Sequence, residues 1–285
     1  MARRLKLMTG LSTLAVTGAL ALAACGAEGE GEGATAAASG AQPGAEGEGE
    51  GEGGGAAPAP AQPAGGEGEG GVDIAAAASD AVVFKSALAI AEAHVLAARD
   101  AYADGRKQEA AEMFAHPVGE VLADMEGAFA ARGVETFNDL FIDASAGALA
   151  GETPEQIAAR TAAIVAALNR AGEKAPPDGR SGSAVAAGVV SDQIDRAVDM
   201  YRLAAASGAY GSYLDGYGFY KAAQSAFARG KSAIETENPG AAAQIAAALT
   251  ALGAAYPSAA APATFSGDVA ALSAASSRVM LALAR

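Results

Sequence analysis

The chain has 285 residues, 51% of them hydrophobic, and its 33 acidic and 19 basic residues give a formal net charge of −14. An acidic chain without a basic stripe excludes nucleic acid and anionic lipid surfaces as electrostatic partners. Its single cysteine, Cys25, excludes a disulfide framework within one chain. The fold must therefore depend on a packed core.

Residues 1–24 have the layout of a secretory signal peptide, with Arg3, Arg4 and Lys6 before an apolar stretch at 11–24. The ending Leu-Ala-Ala-Cys25 resembles the lipobox of bacterial lipoproteins. This resemblance implies cleavage before Cys25 and its acylation, palmitate included, and two or more acyl chains anchor a protein stably. An ordinary signal peptide and a retained membrane helix are the alternatives, although about 14 apolar residues fall short of the roughly 20 that span a bilayer.

A tether follows Cys25, so that 25–71 comprises the lipidated cysteine and a stretch of Gly, Glu, Ala and Pro. This stretch has no large apolar side chain, which predicts disorder. As a flexible coil its 46 residues have a root-mean-square span of roughly 37 Å. Its nine glutamates offer at most weak, unselective cation binding. When these nine glutamates and the three basic residues of the leader are subtracted, 24 acidic and 16 basic residues remain in the rest of the chain. The predicted folded part at 72–285 therefore has a net charge of −8.

Residues 72–285 are predicted to form an all-α bundle of seven to eight helices, as one domain or two subdomains. Apolar residues recur every three or four positions, as on one helical face, between Phe84 and Tyr102. Asp104-Gly105 ends this first helix, and the second is predicted to kink or restart at Pro117. Thr153-Pro154-Glu155-Gln156 forms a capping box. Further helices are predicted at about 136–149, 153–172, 183–206, 210–228, 241–255 and from 266 or 268 onward.

The chain has only two histidines, His94 and His116, and Gly105 lies 11 residues from each. In an antiparallel hairpin both would lie about 16 Å from the turn, at one level. Glu112 and Glu120 share a helical face with His116. Two imidazoles and a carboxylate at one level can bind a divalent or ferric metal ion. Alternatively, His116 pairs with a glutamate on a solvated face, and His94 bonds to a carbonyl among alanines.

A second cluster contains four of the seven tyrosines, in the stretch YGSYLDGYGFY. In one interpretation, Tyr213, Asp215 and Tyr217 line a pocket that also holds the histidines. In the other, the aromatic residues fill the core and the interspersed glycines let helices pack closely.

Residues 94–126 resemble the first helical hairpin of bacterial periplasmic helical-bundle proteins. Residues 209–219 and 227–252 resemble the later helices of the extracytoplasmic domains of high-affinity iron permeases, and imelysin-like iron-uptake lipoproteins are similar in style. The resemblance implies an acidic, helical, secreted protein associated with iron or another metal. The sequence departs from these families in two places. The Gly-x-His-x-x-Glu signature is one residue longer around His116, and Tyr217-Gly218 replaces Phe-Glu.

No protease, hydrolase, Walker or dinucleotide motif is present in the sequence. We therefore expect a non-enzymatic lipoprotein that faces the periplasm and is anchored through Cys25 to a bacterial membrane. Of the two membranes, we expect the outer one rather than the inner one. We expect it to bind iron or copper through His94, His116, Glu120 and Glu112, and to hand the metal to a permease or another envelope protein. The alternatives are a scaffold or adaptor that binds a partner protein in a helical groove and, with less support, an unfamiliar hydrolase.

Overall fold

The computed structural model describes residues 71–285, which lie within one compact unit. The predicted leader, Cys25 and the tether up to residue 70 lie outside the described residues. The described part is all-helical and contains no β-strand. Its helices are α1 (Ile74–Ala77), α2 (Ala81–Ala103), α3 (Lys107–Pro117), α4 (Ala123–Arg132), α5 (Asn138–Ala150), α6 (Pro154–Gly172), α7 (Gly182–Ser207), α8 (Tyr210–Glu237), α9 (Pro239–Ala255) and α10 (Val269–Leu283).

A π turn at Val118–Leu122 joins α3 to α4 without a break. Counted as one helix, this segment gives the described part eight helices longer than one turn, in agreement with the predicted seven to eight. Pro117 lacks an N–H and crowds the preceding turn. The helical turn after Pro117 is wider than an α-helical turn, because the Ala123 N–H donates to the Val118 carbonyl five residues earlier. The predicted restart at Pro117 is therefore a π turn within a continuous helix.

Local capping signals fix the ends of the helices. Thr153 and Gln156 form the predicted capping box, with hydrogen bonds in both directions between side chain and backbone. Asp268 caps α10 by accepting from two backbone N–H groups. Gly105, which has φ of 84°, allows the reversal between α2 and α3.

Helix α2 lies at the centre of the bundle and packs against α3, α6, α7 and α8. From Ser86 to Ala98 every residue is buried, so that the helix is enclosed on all sides. Among the described residues it is the one helix long and apolar enough to cross a membrane, and 78% of its most apolar 18-residue stretch is buried inside the fold. The core helix of a folded domain has the same length and composition.

Helices α7 and α8 form a long antiparallel pair, in which Gly230 approaches Ala186 and Gly216 approaches Met200. Helix α8 extends to Glu237, nine residues beyond its predicted end at 228. Its internal glycines do not interrupt it, because tertiary packing outweighs a propensity cost of about 1 kcal/mol per glycine. Gly216 and Gly218 lie where neighbouring helices leave no room for a Cβ atom.

Candidate metal centre

The hairpin of α2 and α3 brings the two histidines together. Their ring centroids lie 6.0 Å apart, with the planes inclined at 71°. With Glu120 they form a group whose potential ligand atoms, one from each residue, all lie within 4.8 Å of one another. The equal spacing of the two histidines from Gly105 therefore places their side chains next to each other.

A hydrogen bond to the backbone of its own helix holds the His94 ring in one orientation. His94 is 2% exposed, and its Nδ1 donates a hydrogen bond of 2.9 Å to the carbonyl of Ile90, four residues earlier. In the neutral ring, a proton on Nδ1 leaves the Nε2 lone pair available. Nε2 lies 3.9 Å from both Glu120 Oε2 and Asp215 Oδ1. The carbonyl bond expected for a structural histidine thus coexists with a ring edge that faces two carboxylates.

His116 and Glu120 come from the last turn of α3 and from the π turn that follows it. His116 Nδ1 and Glu120 Oε2 are both buried and have no hydrogen-bond partner among the described residues. A buried polar atom without a partner costs about 1–3 kcal/mol. Two such atoms in one cluster, both of ligand type, require an explanation beyond packing.

Asp215 is brought to the cluster by α8, which crosses α2 closely at this level. A Cβ atom on Gly218 would lie 2.5 Å from the carbonyl oxygen of Ala93 and 3.1 Å from the Cβ of Ala97. The missing side chain therefore permits the approach that sets Asp215 against the residue after Ala93, which is His94. The Asp215 and Glu120 side chains are 15% and 30% exposed, so the cluster is accessible from solvent.

The other predicted site residues lie elsewhere. Glu112 is exposed, accepts a hydrogen bond of 2.8 Å from Gln108, and is outside the group formed by His94, His116 and Glu120. Tyr213 donates to the Ser258 carbonyl at 2.7 Å, which fastens α8 to the segment before α10.

The Tyr217 hydroxyl donates to Asp100 Oδ2 at 2.7 Å and so joins α8 to α2. Burial, together with this hydrogen bond, raises the pKa of Tyr217. Of the aromatic cluster, Phe219 contacts His94, with its ring edge-on to the imidazole and the ring centroids 6.1 Å apart. The carbonyl that the sequence alternative gave to His94 is that of Ile90, four residues earlier on the same helix.

Replacing Gly218 with alanine is expected to lower the free energy of unfolding by about 2 kcal/mol, because the added methyl group collides with the α2 backbone and α8 must move away. Gly211→Ala is the matched control, since no atom lies within 4 Å of its Cβ position. There we expect no loss, and up to about 1 kcal/mol of gain from helix propensity. Urea denaturation of both variants tests this, and equal stabilities would contradict the close approach.

Residues 212–284 match the family model of the iron permease-associated 4-helix bundle domain. The predicted resemblance to iron permease helical-bundle domains is therefore confirmed over about a quarter of the chain. The matched segment runs from the third residue of α8 through α10 and includes Asp215 and Gly218, whereas both histidines and Glu120 precede it. No curated protein and no solved structure matches the chain.

Proposed function

We propose that this chain is a non-enzymatic metal-binding protein of the bacterial envelope, with its metal site in the helical bundle. His94, His116 and Glu120 are the ligands, and Asp215 from α8 is the fourth. Iron or copper is the cargo, held for uptake or for transfer to another protein. Cys25, as the lipid anchor, would keep this bundle at the periplasmic face of a membrane, preferably the outer one.

The observation that carries the proposal is the pair of buried atoms without hydrogen bonds, His116 Nδ1 and Glu120 Oε2, beside the fixed ring of His94. A metal ion satisfies nitrogen and carboxylate lone pairs together, whereas a solvated histidine–glutamate pair leaves neither buried and unpaired. Two imidazoles and two carboxylates suit borderline transition metals such as iron, copper and zinc.

The separations are compatible with one ion. Two atoms bound to a metal at about 2.0–2.2 Å each lie no more than about 4.4 Å apart. The contacts of 3.9 Å from His94 Nε2 to Glu120 and to Asp215 meet this limit. The full group, within 4.8 Å, requires a closing shift of under 1 Å.

The choice of iron over other metals rests on the match of residues 212–284 to a domain named for its association with iron permeases. The same match supports a permease as the partner that receives or delivers the metal. An acidic domain that contributes carboxylates to a site suits a cation as cargo.

The test is calorimetry of the full-length protein with Fe(II) under anaerobic conditions and with Cu(II). We expect saturable binding of one ion per chain, weakened at least 100-fold in the His94→Ala/His116→Ala variant, because loss even of outer-shell partners costs 10–100-fold. Glu112→Gln is the matched control, since this glutamate lies on α3 near His116 but points to solvent. Equal heats for the double variant and the parent protein would refute the proposed site.

The alternative, an adaptor that binds a partner protein, predicts a contiguous exposed apolar patch. In residues 71–285 the exposed large apolar side chains are divided among three helices: Ile142 and Leu149 on α5, Leu203 on α7, and Met280 and Leu281 on α10. This distribution gives the alternative no better support than the metal site has.

A further inference from the structure

A cavity of about 410 Å³ lies between α2, α6, α7 and α8. His94, His116 and Glu120 do not line it, so it is separate from the candidate metal centre. Its volume falls within the range of roughly 300–1,000 Å³ that is typical of small-molecule sites.

The floor of the cavity is one face of α2, formed by Lys85, Leu88, Ala89 and Glu92. These positions are spaced by three, one and three residues, so they follow one another along the helix. Lys85 and Glu92 are seven residues, or about 10 Å, apart at the two ends of the floor. The middle of the floor is apolar, and the walls add further apolar side chains: Leu168 from α6, Val189 from α7 and Ala226 from α8.

The two charged ends of the floor differ in kind. At one end Glu92, 3% exposed, is held by Arg229 through hydrogen bonds of 2.9 and 3.0 Å to its two oxygens, and by Ser225 at 2.6 Å. The negative charge of Glu92 is therefore compensated by Arg229 within the protein. At the other end Lys85 is half-buried and has no ion pair or hydrogen bond with any residue between 71 and 285. Glu173 at the margin is exposed to water, where its charge is screened.

The geometry points to a binding site for a small amphiphilic monoanion, an organic carboxylate with an unbranched apolar body. Its carboxylate would pair with the Lys85 ammonium, and its apolar body would lie along Leu88 and Ala89 between Leu168 and Val189. A half-buried lysine that lines an apolar cavity favours such a ligand, because the carboxylate compensates the ammonium charge while the apolar part displaces water from the walls.

Calorimetry of the full-length protein with octanoate and with 1-octanol tests this site. We expect octanoate to bind saturably and about tenfold more tightly than octanol, since a hydrogen bond to a charged partner contributes about 1.5 kcal/mol or more. Lys85→Gln should remove this tenfold difference and leave octanol unchanged. Ala226→Phe, which fills the cavity, should abolish binding of both. Lys231→Gln, outside the cavity on α8, is the control and should bind both probes as the parent does.

Thermal melting of each variant, compared with the parent protein, establishes that the fold persists. Octanol bound as tightly as octanoate would overturn the assignment of an anion to Lys85. The absence of saturable binding by either probe at millimolar concentration, or binding that survives Ala226→Phe, would overturn the site itself.

Discussion

Replacing Arg229 with methionine is expected to lower the free energy of unfolding by about 3–5 kcal/mol, because it leaves the Glu92 carboxylate buried without its charged partner. The Glu92 side chain is 4% exposed, and Arg229 donates to both of its oxygens. Once the guanidinium is gone, Ser225 alone remains to hydrogen-bond the carboxylate. Urea denaturation at neutral pH, where the carboxylate of the unfolded chain is ionised, measures the loss.

Two controls separate this effect from simple loss of side-chain packing. The Glu92→Met/Arg229→Met double variant should recover most of the stability, since it removes the buried carboxylate together with its partially exposed partner. Arg202→Met removes a partner of an exposed ion pair with Asp199, whose side chains are 57% and 49% exposed, and should cost less than about 1 kcal/mol. Equal losses for Arg229→Met and Arg202→Met would contradict the expectation.

Alkaline unfolding is the second large expected effect, and it comes from four tyrosines that the fold buries wholly or in part. Burial raises the pKa of Tyr210 and of Tyr213 to about 12, and burial also raises the pKa of Tyr217 and of Tyr256. In the unfolded chain these hydroxyls titrate near 10. A raised pKa in the folded state means that their contribution is complete below about pH 10 and is lost as the pH rises above it.

At about pH 11 each of these tyrosines should cost about 1 kcal/mol, because the unfolded chain has released a proton that the folded protein retains. Four of them together remove roughly 4 kcal/mol from a stability that is typically 5–15 kcal/mol. Urea denaturation between about pH 8 and 11 measures the slope. Tyr213→Phe, which removes one titrating group and keeps its ring, should reduce that slope by about one proton. Tyrosinate absorbance that develops near pH 10 in the still-folded protein, without loss of stability, would contradict this account.

The helices could be predicted closely from the sequence because their signals are local. The capping box at Thr153, the turn at Gly105 and the proline at 117 each act within a few residues, and each lies at or beside a boundary of the observed elements. The end of α8 could not be predicted in the same way, because Gly216, Gly218 and Gly230 are unfavourable locally and are tolerated through their contacts with α2, α7 and Tyr256.

The two histidines could be related from the sequence because a hairpin converts equal spacing from a turn into equal height. The position of Asp215 relative to the histidines could not be decided, since it depends on which face of α8 meets α2. In a chain so rich in alanine, many faces are equally apolar, and periodicity does not select among them. The approach of Gly218 to Ala93 makes that selection, and it separates Asp215, which faces His94, from Tyr213 and Tyr217, which hold helices together.

By itself, the sequence determined the all-helical class, the helical hairpin that carries His94 and His116, and the acidic character of the chain, since each follows from composition or from spacing within a few turns. Only the tertiary structure decided that Glu120 and not Glu112 joins the histidines, because Glu120 lies in the π turn after Pro117, whereas Glu112 lies on the exposed face of α3. It also decided the pairing of Glu92 with Arg229 across 137 positions. Such a contact depends on the packing of distant helices, which local periodicity does not specify.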